Sequence, residues 1–190
     1  DVKNDRVVIN SSKRFITCDA ARYGQDLCVI YVWDDYTVFH ITVFHQSDPH
    51  QIKEEIEQLR SRFNVPRHNT IIDQDGVGGD TVKLGKYIGF MAREPASISK
   101  DIQTRENYKS KKDQCYFKSA DNVNKGVIKF SIVKSCVKIY DKGSSKPRLS
   151  KLIMHNGEMV DVSVLIKNHI RAIKKGETIM DGGEKKFCVN

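Results

Sequence analysis

No two of the five cysteines (Cys18, Cys28, Cys115, Cys136 and Cys188) lie closer than ten residues, and no CxxC pair occurs. An odd, scattered set in a chain of 190 residues argues against a disulfide framework and predicts reduced thiols. His40, His45 and His50 lack a ligand spacing, so no structural zinc is expected. No apolar run approaches the roughly 18 residues of a membrane helix. The first residues are charged, without the basic patch and hydrophobic stretch of a signal peptide. A GxxxxGK motif followed by Ser or Thr is also missing, which leaves nucleotide hydrolysis unsupported. Repeats and low-complexity tracts are absent.

What the chain does have is positive charge in one place. The net charge is +8. Between Lys100 and Lys151, 14 Lys and Arg face five Asp and Glu, so the rest of the chain is about neutral. A localised positive field suits a polyphosphate, because each neutralised phosphate releases counterions. Lys109, Lys111, Lys112 and Lys118 are the candidate DNA contacts. The alternative for such a run is a solvated face. The length fits one domain with a sizeable core, residues 1–190.

Residues 14–19 and 27–33 read as strands, and 36–46 alternates like a third, with a tight turn at Asp34-Asp35; together they predict an antiparallel meander. Asp48 as N-cap, Pro49 at the first helical position and Gln51 three residues after the cap open an amphipathic helix of about four turns, with Ile52, Ile56, Leu59 and Phe63 on its apolar face. A short strand at 69–73 runs into a glycine-rich turn and a helical pattern through Gly89. The crossover helix makes that strand parallel to a member of the meander. Further expectations are a strand over 91–98, a helix over 105–124 with Tyr108, Cys115, Tyr116, Ala120 and Val123 on one side, a strand over 127–130, a helix over 131–140, a loop at 143–147 and a helix over 161–175. The fold class is α/β, a mixed sheet of meander and parallel strands flanked by helices.

Asp19 and Asp73 each close a strand after apolar or β-branched residues. Carboxylates on adjacent strand ends converge, and hard oxygen ligands suit Mg²⁺ or Mn²⁺. Two such ions about 4 Å apart activate a water and stabilise a leaving 3′-oxygen. An Asp at a strand end also serves as an ordinary turn or cap residue. Asp26 fits the loop that returns the chain as the second strand, either orienting it or capping a turn. Asp75 reaches a metal only through the loop or a water.

The segment CDAARYGQD, followed some fifty residues later by IIDQDGVGGD and a helix, resembles the first two acidic motifs of the nuclease domain of tailed-phage large terminases. RENYKSKKDQCYFKSADNVNKGVIKF is similar to the long helix and short strand of that family. The resemblance covers roughly Arg14 to Phe130. It implies an RNase H-like fold and two-metal cleavage of concatemeric double-stranded DNA during genome packaging. It also implies a small terminase subunit and a portal protein as partners and the host-cell cytoplasm as the location. Asp19 matches the first catalytic acid and Asp73 the second. The family's ATPase domain would precede residue 1. Its third acid sits in a C-terminal helix with no match here, so that ligand is expected beyond Asn190, with Asp181 and Glu184 in a glycine-flanked tail as nearby candidates. Two alternatives stand beside this reading: another RNase H-like nuclease, such as a junction resolvase or an integrase-type transferase, and a catalytically silent DNA-binding or assembly module.

Overall fold

A computed structural model describes residues 13–21, 26–75, 78–98, 106–133, 136–172, 179–181 and 184–186, with backbone alone for 172, 179–181 and 184–186. The chain divides into two compact units. The first comprises Asp1–Phe90 and Lys129–Met159, the second Met91–Ile128 and Val160–Asn190.

The first unit is built on a mixed sheet. Strand β1 (Arg14–Asp19) pairs antiparallel with β2 (Cys28–Asp34), and β2 with β3 (Thr37–Phe44), which is the expected meander. Alternation drives it: Ile16 and Cys18 of β1 and Cys28, Ile30 and Val32 of β2 are buried, while their neighbours are only half-buried. The turn falls one residue later than expected, at Asp35-Tyr36, because Asp35 takes the left-handed conformation at φ 52°.

Helix α1 (Pro49–Phe63) starts as its sequence dictates. The Asp48 side chain accepts from the amides of His50 and Gln51, and the Gln51 side chain accepts in return from the Asp48 amide. Such a cap contributes about 1 kcal/mol. Ile52, Ile56 and Leu59 point into the core shared with β1 and β2, each contributing about 1.5–3 kcal/mol by burial. The helix stops where Asn64 turns left-handed at φ 53°. Glu55 is also buried on this helix, and its carboxylate is saturated: it accepts from Thr42 Oγ1 (3.0 Å), Lys138 Nζ (2.5 Å) and the Tyr140 hydroxyl (2.9 Å).

After a single 3₁₀ turn at Arg67–Asn69, β4 (Thr70–Asp73) lies parallel to β1, so the crossover through α1 delivers the predicted parallel strand. Helix α2 (Gly78–Gly85) ends well before Gly89. Lys86 is left-handed, the Tyr87 ring occupies the space a side chain at Gly85 would need, and β5 (Ile88–Phe90) follows parallel to β4. The expected strand over 91–98 is therefore displaced upstream, and 91–97 is turn and loop.

The remaining strands of this unit correct a second expectation. The last four residues of the helix expected over 131–140 form a strand instead: β7 (Val137–Tyr140) runs parallel to β3, with Val137 and Ile139 fully buried, while residues 134–135 lie outside the described residues. The apolar residues here recur every second position, Val137 and Ile139 inward, which is strand rather than helical spacing. Before it, β6 (Lys129–Phe130) covers only the end of the anticipated 127–130 strand, also parallel to β3. After the loop that carries Gly143 come β8 (Arg148–Leu149), antiparallel to β7, and β9 (Leu152–His155). The described strands of the main sheet run in the order β5-β4-β1-β2-β3-β7-β8.

In the second unit, α3 spans Lys111–Asn124, six residues shorter at its start than expected because Ser110 caps it through the Asp113 amide. Its buried residues are Asp113 and Gln114, not the anticipated apolar side: Cys115 and Ala120 are exposed, Tyr116 and Val123 half-buried. Strand β10 (Glu158–Asp161) leads into α4 (Val162–Ala172), where the Asp161 carboxylate accepts from the Ser163 amide at the start of the helix. Residues 173–175 of that expected helix lie outside the described residues. Strands β11 (Ile179–Asp181) and β12 (Glu184–Lys186) pair antiparallel. No helix among the described residues is long and apolar enough to cross a membrane.

Candidate functional site

Parallel strands bring like ends together. In the β1–β4 pairing, Cys18 stands beside Ile72, and the next residue on each strand is an aspartate. Asp19 and Asp73 therefore leave the sheet side by side at its carboxyl edge, on strands about 4.8 Å apart. Asp19 is exposed and Asp73 half-buried. Packed atoms strip part of the hydration from the Asp19 carboxyl and raise its pKa, and the negative charges of Asp73 and then Asp26 raise it further.

Asp26 reaches this position through the hairpin. Asp19 pairs with Val29, so Asp26, three positions before Val29, lies past the paired end of β2, and its charge acts on the first acid. The chain between, residues 22–25, lies outside the described residues. Asp26 is thus the second carboxylate acting on Asp19. Asp75 has a different position: its backbone amide donates to Asp73 Oδ1 at 3.0 Å, a turn that fixes the Asp73 carboxylate, and its own side chain is exposed.

A glycine sets how close helix α2 comes to this edge. A Cβ on Gly78 would stand 1.6 Å from the Asp73 carbonyl oxygen, so only glycine lets the helix begin directly against the strand that carries the acid. The glycine-rich turn expected from the sequence did not reveal this packing role of Gly78. Its signal was a glycine at the strand-to-helix junction.

Beneath the acids, Cys18 and Cys28 are buried free thiols hydrogen-bonded to each other. Tyr31, on the strand beside Asp19, has its pKa pushed up to about 12 by burial and by Asp19. Trp33 Nε1 donates to Thr17 Oγ1 at 2.8 Å. Ser47 Oγ donates to the Ala21 carbonyl at 3.0 Å and so ties the β3–α1 loop to the chain just beyond Asp19.

The other sequence candidates fall in the second unit. Lys109 and Lys112 are exposed, Lys112 lying 5.7 Å from the Tyr116 ring centre. Lys111 pairs with Glu94 at 2.8 Å and Lys118 with Glu106 at 2.6 Å. Asp181 and Glu184 are not in an irregular tail: they are the paired residues of β11 and β12. Among the described residues, no group of three His, Cys, Asp or Glu side chains is placed to hold a metal ion. The donor set that suits a hard cation is the Asp19–Asp73 pair, whose mutual repulsion a cation would relieve.

No protein-family model and no curated protein matches the chain by sequence. Its structure, however, is similar to solved structures, among them those of a viral nuclease domain. The nuclease domain of the large terminase subunit gp2 of bacterial virus Sf6 aligns with a TM-score of 0.63 at 13% identity, covering 94% of this chain and 78% of that one. A mutant of that domain with calcium aligns at 0.61 and 14%, and one with manganese and beta-thujaplicinol at 0.60 and 13%, with the same coverage. With its mixed parallel and antiparallel sheet and four α-helices among the described residues, the chain shares the RNase H-like fold of that nuclease domain.

Proposed function

We propose that this chain is a single nuclease domain that cuts double-stranded DNA by metal-dependent phosphodiester hydrolysis, as in the cutting of viral concatemers during genome packaging. The observation that carries this reading is the convergence of Asp19 and Asp73 at adjacent parallel strand ends in an RNase H-like sheet. The similar Sf6 domains with manganese or calcium support a divalent ion here, Mg²⁺ or Mn²⁺.

Asp19 and Asp73 would hold the metal, and Asp75 contributes through its backbone amide by orienting Asp73. When bound, two such ions supply a water activated at neutral pH and charge stabilisation for the leaving oxygen. The protein's own work is to fix both carboxylates on rigid strands and to keep them crowded, so that the site is ready for a cation. The Asp26 charge adds to that crowding. Lys109, Lys111, Lys112 and Lys118 would contact backbone phosphates and give affinity without sequence preference. A small terminase subunit, a portal protein and the cytoplasm of an infected host belong to the same reading.

Supercoiled plasmid incubated with the protein and Mn²⁺ tests it. Conversion to nicked and linear forms, stopped by chelation and absent in Asp19→Asn and Asp73→Asn, is expected. DNA retarded on a gel but never cut would replace the nuclease with a binding module. Strong preference for branched over linear duplex would replace it with a resolvase.

A further inference from the structure

The row of residues that holds the acids continues across the sheet. Asp19 and Asp73 follow the paired Cys18 and Ile72; Asp19 in turn pairs with Val29 on β2, Val29 with Val43 on β3, and Val43 with Ile139 on β7. The loop 141–147, which joins β7 to β8, therefore leaves the sheet from the same edge as the acids. It lies three strands from Asp19, roughly 14 Å at the spacing of paired strands. Gly143, Ser144 and Ser145 share a polar cavity of about 310 Å³ with Gln46, Ser47 and Asp48. Ser47 is the residue whose hydroxyl donates to the Ala21 carbonyl, just beyond Asp19.

Positive charge is denser here than on α3. Residues 138–151 carry five Lys and Arg (Lys138, Lys142, Lys146, Arg148 and Lys151) against Asp141 alone, a net +4. Residues 106–125 carry five lysines against Glu106, Asp113 and Asp121, a net +2. Lys138 is taken by Glu55, and Arg148 holds both Asp141 oxygens, at 2.5 and 3.1 Å. Lys142 and Lys146 are exposed and belong to none of the ion pairs among the described residues. The backbone that carries them is braced: the Ser144 amide donates to the Asp141 carbonyl at 3.0 Å, and the Ser144 hydroxyl donates to the Lys146 carbonyl at 2.8 Å.

We infer that the loop 141–147 is a second contact surface for the DNA backbone, on which Lys142 and Lys146 each meet a phosphate of the duplex held at Asp19 and Asp73. This role rests on the nuclease reading, which supplies the occupant. A duplex lying along the acid edge passes the loop about four base pairs from the cut, at roughly 3.4 Å per base pair. Between the two lysines, Gly143, Ser144 and Ser145 are exposed and small, so no bulky side chain holds the backbone of the duplex away. Contacts of this kind add affinity and carry no base preference.

Fluorescence anisotropy of a fluorescein-labelled duplex over a range of KCl concentrations, without divalent metal, reads binding apart from cutting. Lys142→Gln and Lys146→Gln together should weaken binding about tenfold and lower the slope of log affinity against log salt by about 1–2, roughly 0.9 per lost phosphate contact. Lys142→Arg with Lys146→Arg should keep the wild-type slope. Lys86 is exposed at the opposite edge of the sheet, before β5 begins, so Lys86→Gln removes a charge from the wrong place and should leave affinity and slope nearly unchanged. An unchanged slope in the double Gln variant overturns the role of the loop, even where the wild type cuts plasmid. A loss from Lys86→Gln as large as that from Lys142→Gln alone also overturns it, since net charge rather than place would then govern binding. A lowered slope confined to the loop variants upholds it, even where the wild type does not cut, a result that would sink the nuclease reading alone.

Discussion

The two ends of strand β1 handle carboxylates in opposite ways. At its amino end, Glu57 is surrounded by Arg60, Arg67 and the Tyr87 hydroxyl, and the pairing pulls its pKa down overall. At its carboxyl end, the pKa of Asp19 is pushed up, first by burial and then by the charges of Asp73 and Asp26. Glu55, inside the same unit, is likewise given partners: Lys138, Tyr140 and Thr42 donate to it. A carboxylate that supports the fold is given partners. One left among like charges stores repulsion that a bound cation can release, which is what the proposed metal site requires.

The largest effect should come from the acid edge. Asp19→Asn and Asp73→Asn should each lower the cleavage rate by about a thousandfold or more, about 4 kcal/mol in the barrier. Thermal stability should be unchanged or slightly raised, since repulsion is removed. Nicking of supercoiled DNA together with a melting curve reads both, and a large fall in melting temperature would erase the contrast with Glu57.

Gly78→Ala comes next. Its Cβ would meet the Asp73 carbonyl oxygen at 1.6 Å, and the backbone must shift to accept it. A loss of roughly 3 kcal/mol in stability, with reduced cleavage, is expected from denaturant titration and the nicking assay. An unaffected variant would mean that α2 does not set the position of Asp73.

The interior offers a third test. His40 is buried and its pKa is lowered to about 4, first by burial, then by Arg62 and Lys138, with Glu55 opposing. The folded state refuses a proton that the unfolded state accepts below about pH 6.5. Its contribution is therefore complete above pH 6.5 and is lost as pH falls toward 4, on the order of 2–3 kcal/mol. The difference in stability between wild type and His40→Gln, measured at pH 7 and pH 4.5, should shrink by that amount. A constant difference would show that His40 takes up a proton in the fold.

Smaller effects belong to the second unit. Lys111 is occupied by Glu94, whereas Lys109 and Lys112 are exposed. Replacing Lys109 and Lys112 together by Ala should lower the slope of log affinity against log salt by about 1–2, roughly 0.9 per lost phosphate contact. Asp75→Asn should be the mildest change, a few-fold at most in cleavage, because the Asp75 amide rather than its carboxylate orients Asp73. An effect as large as that of Asp73→Asn would make Asp75 a ligand.

Sequence periodicity carried the meander, α1 and the parallel β4, because each has a local cause: alternation in 28–34, the Asp48-Pro49-Gln51 cap, the apolar Ile71-Ile72 before Asp73. It failed where tertiary pairing overrides local pattern. Val137–Tyr140 is too short for its spacing to separate strand from helix, and only the parallel edge offered by β3 decides the matter. The α3 face failed differently: Asp113 and Gln114 are buried because a cap and a Ser97 amide satisfy them, which hydrophobicity does not encode. At the candidate site, Asp19 and Asp73 were legible as strand-ending acids. The action of the Asp26 charge on Asp19 depends on the pairing of β1 with β2, and the need for glycine at 78 depends on a backbone approach, both set in three dimensions.

A double-mutant cycle on Mn²⁺ binding tests the central claim, that Asp19 and Asp73 share one cation. The free and bound Mn²⁺ signals in electron paramagnetic resonance give the affinity for wild type, Asp19→Asn, Asp73→Asn and the pair together. A shared ion predicts that either single change removes most of the high-affinity binding and that the double variant is scarcely worse, a strong departure from additivity. Additive losses, or high-affinity Mn²⁺ retained when both acids are gone, would contradict the claim.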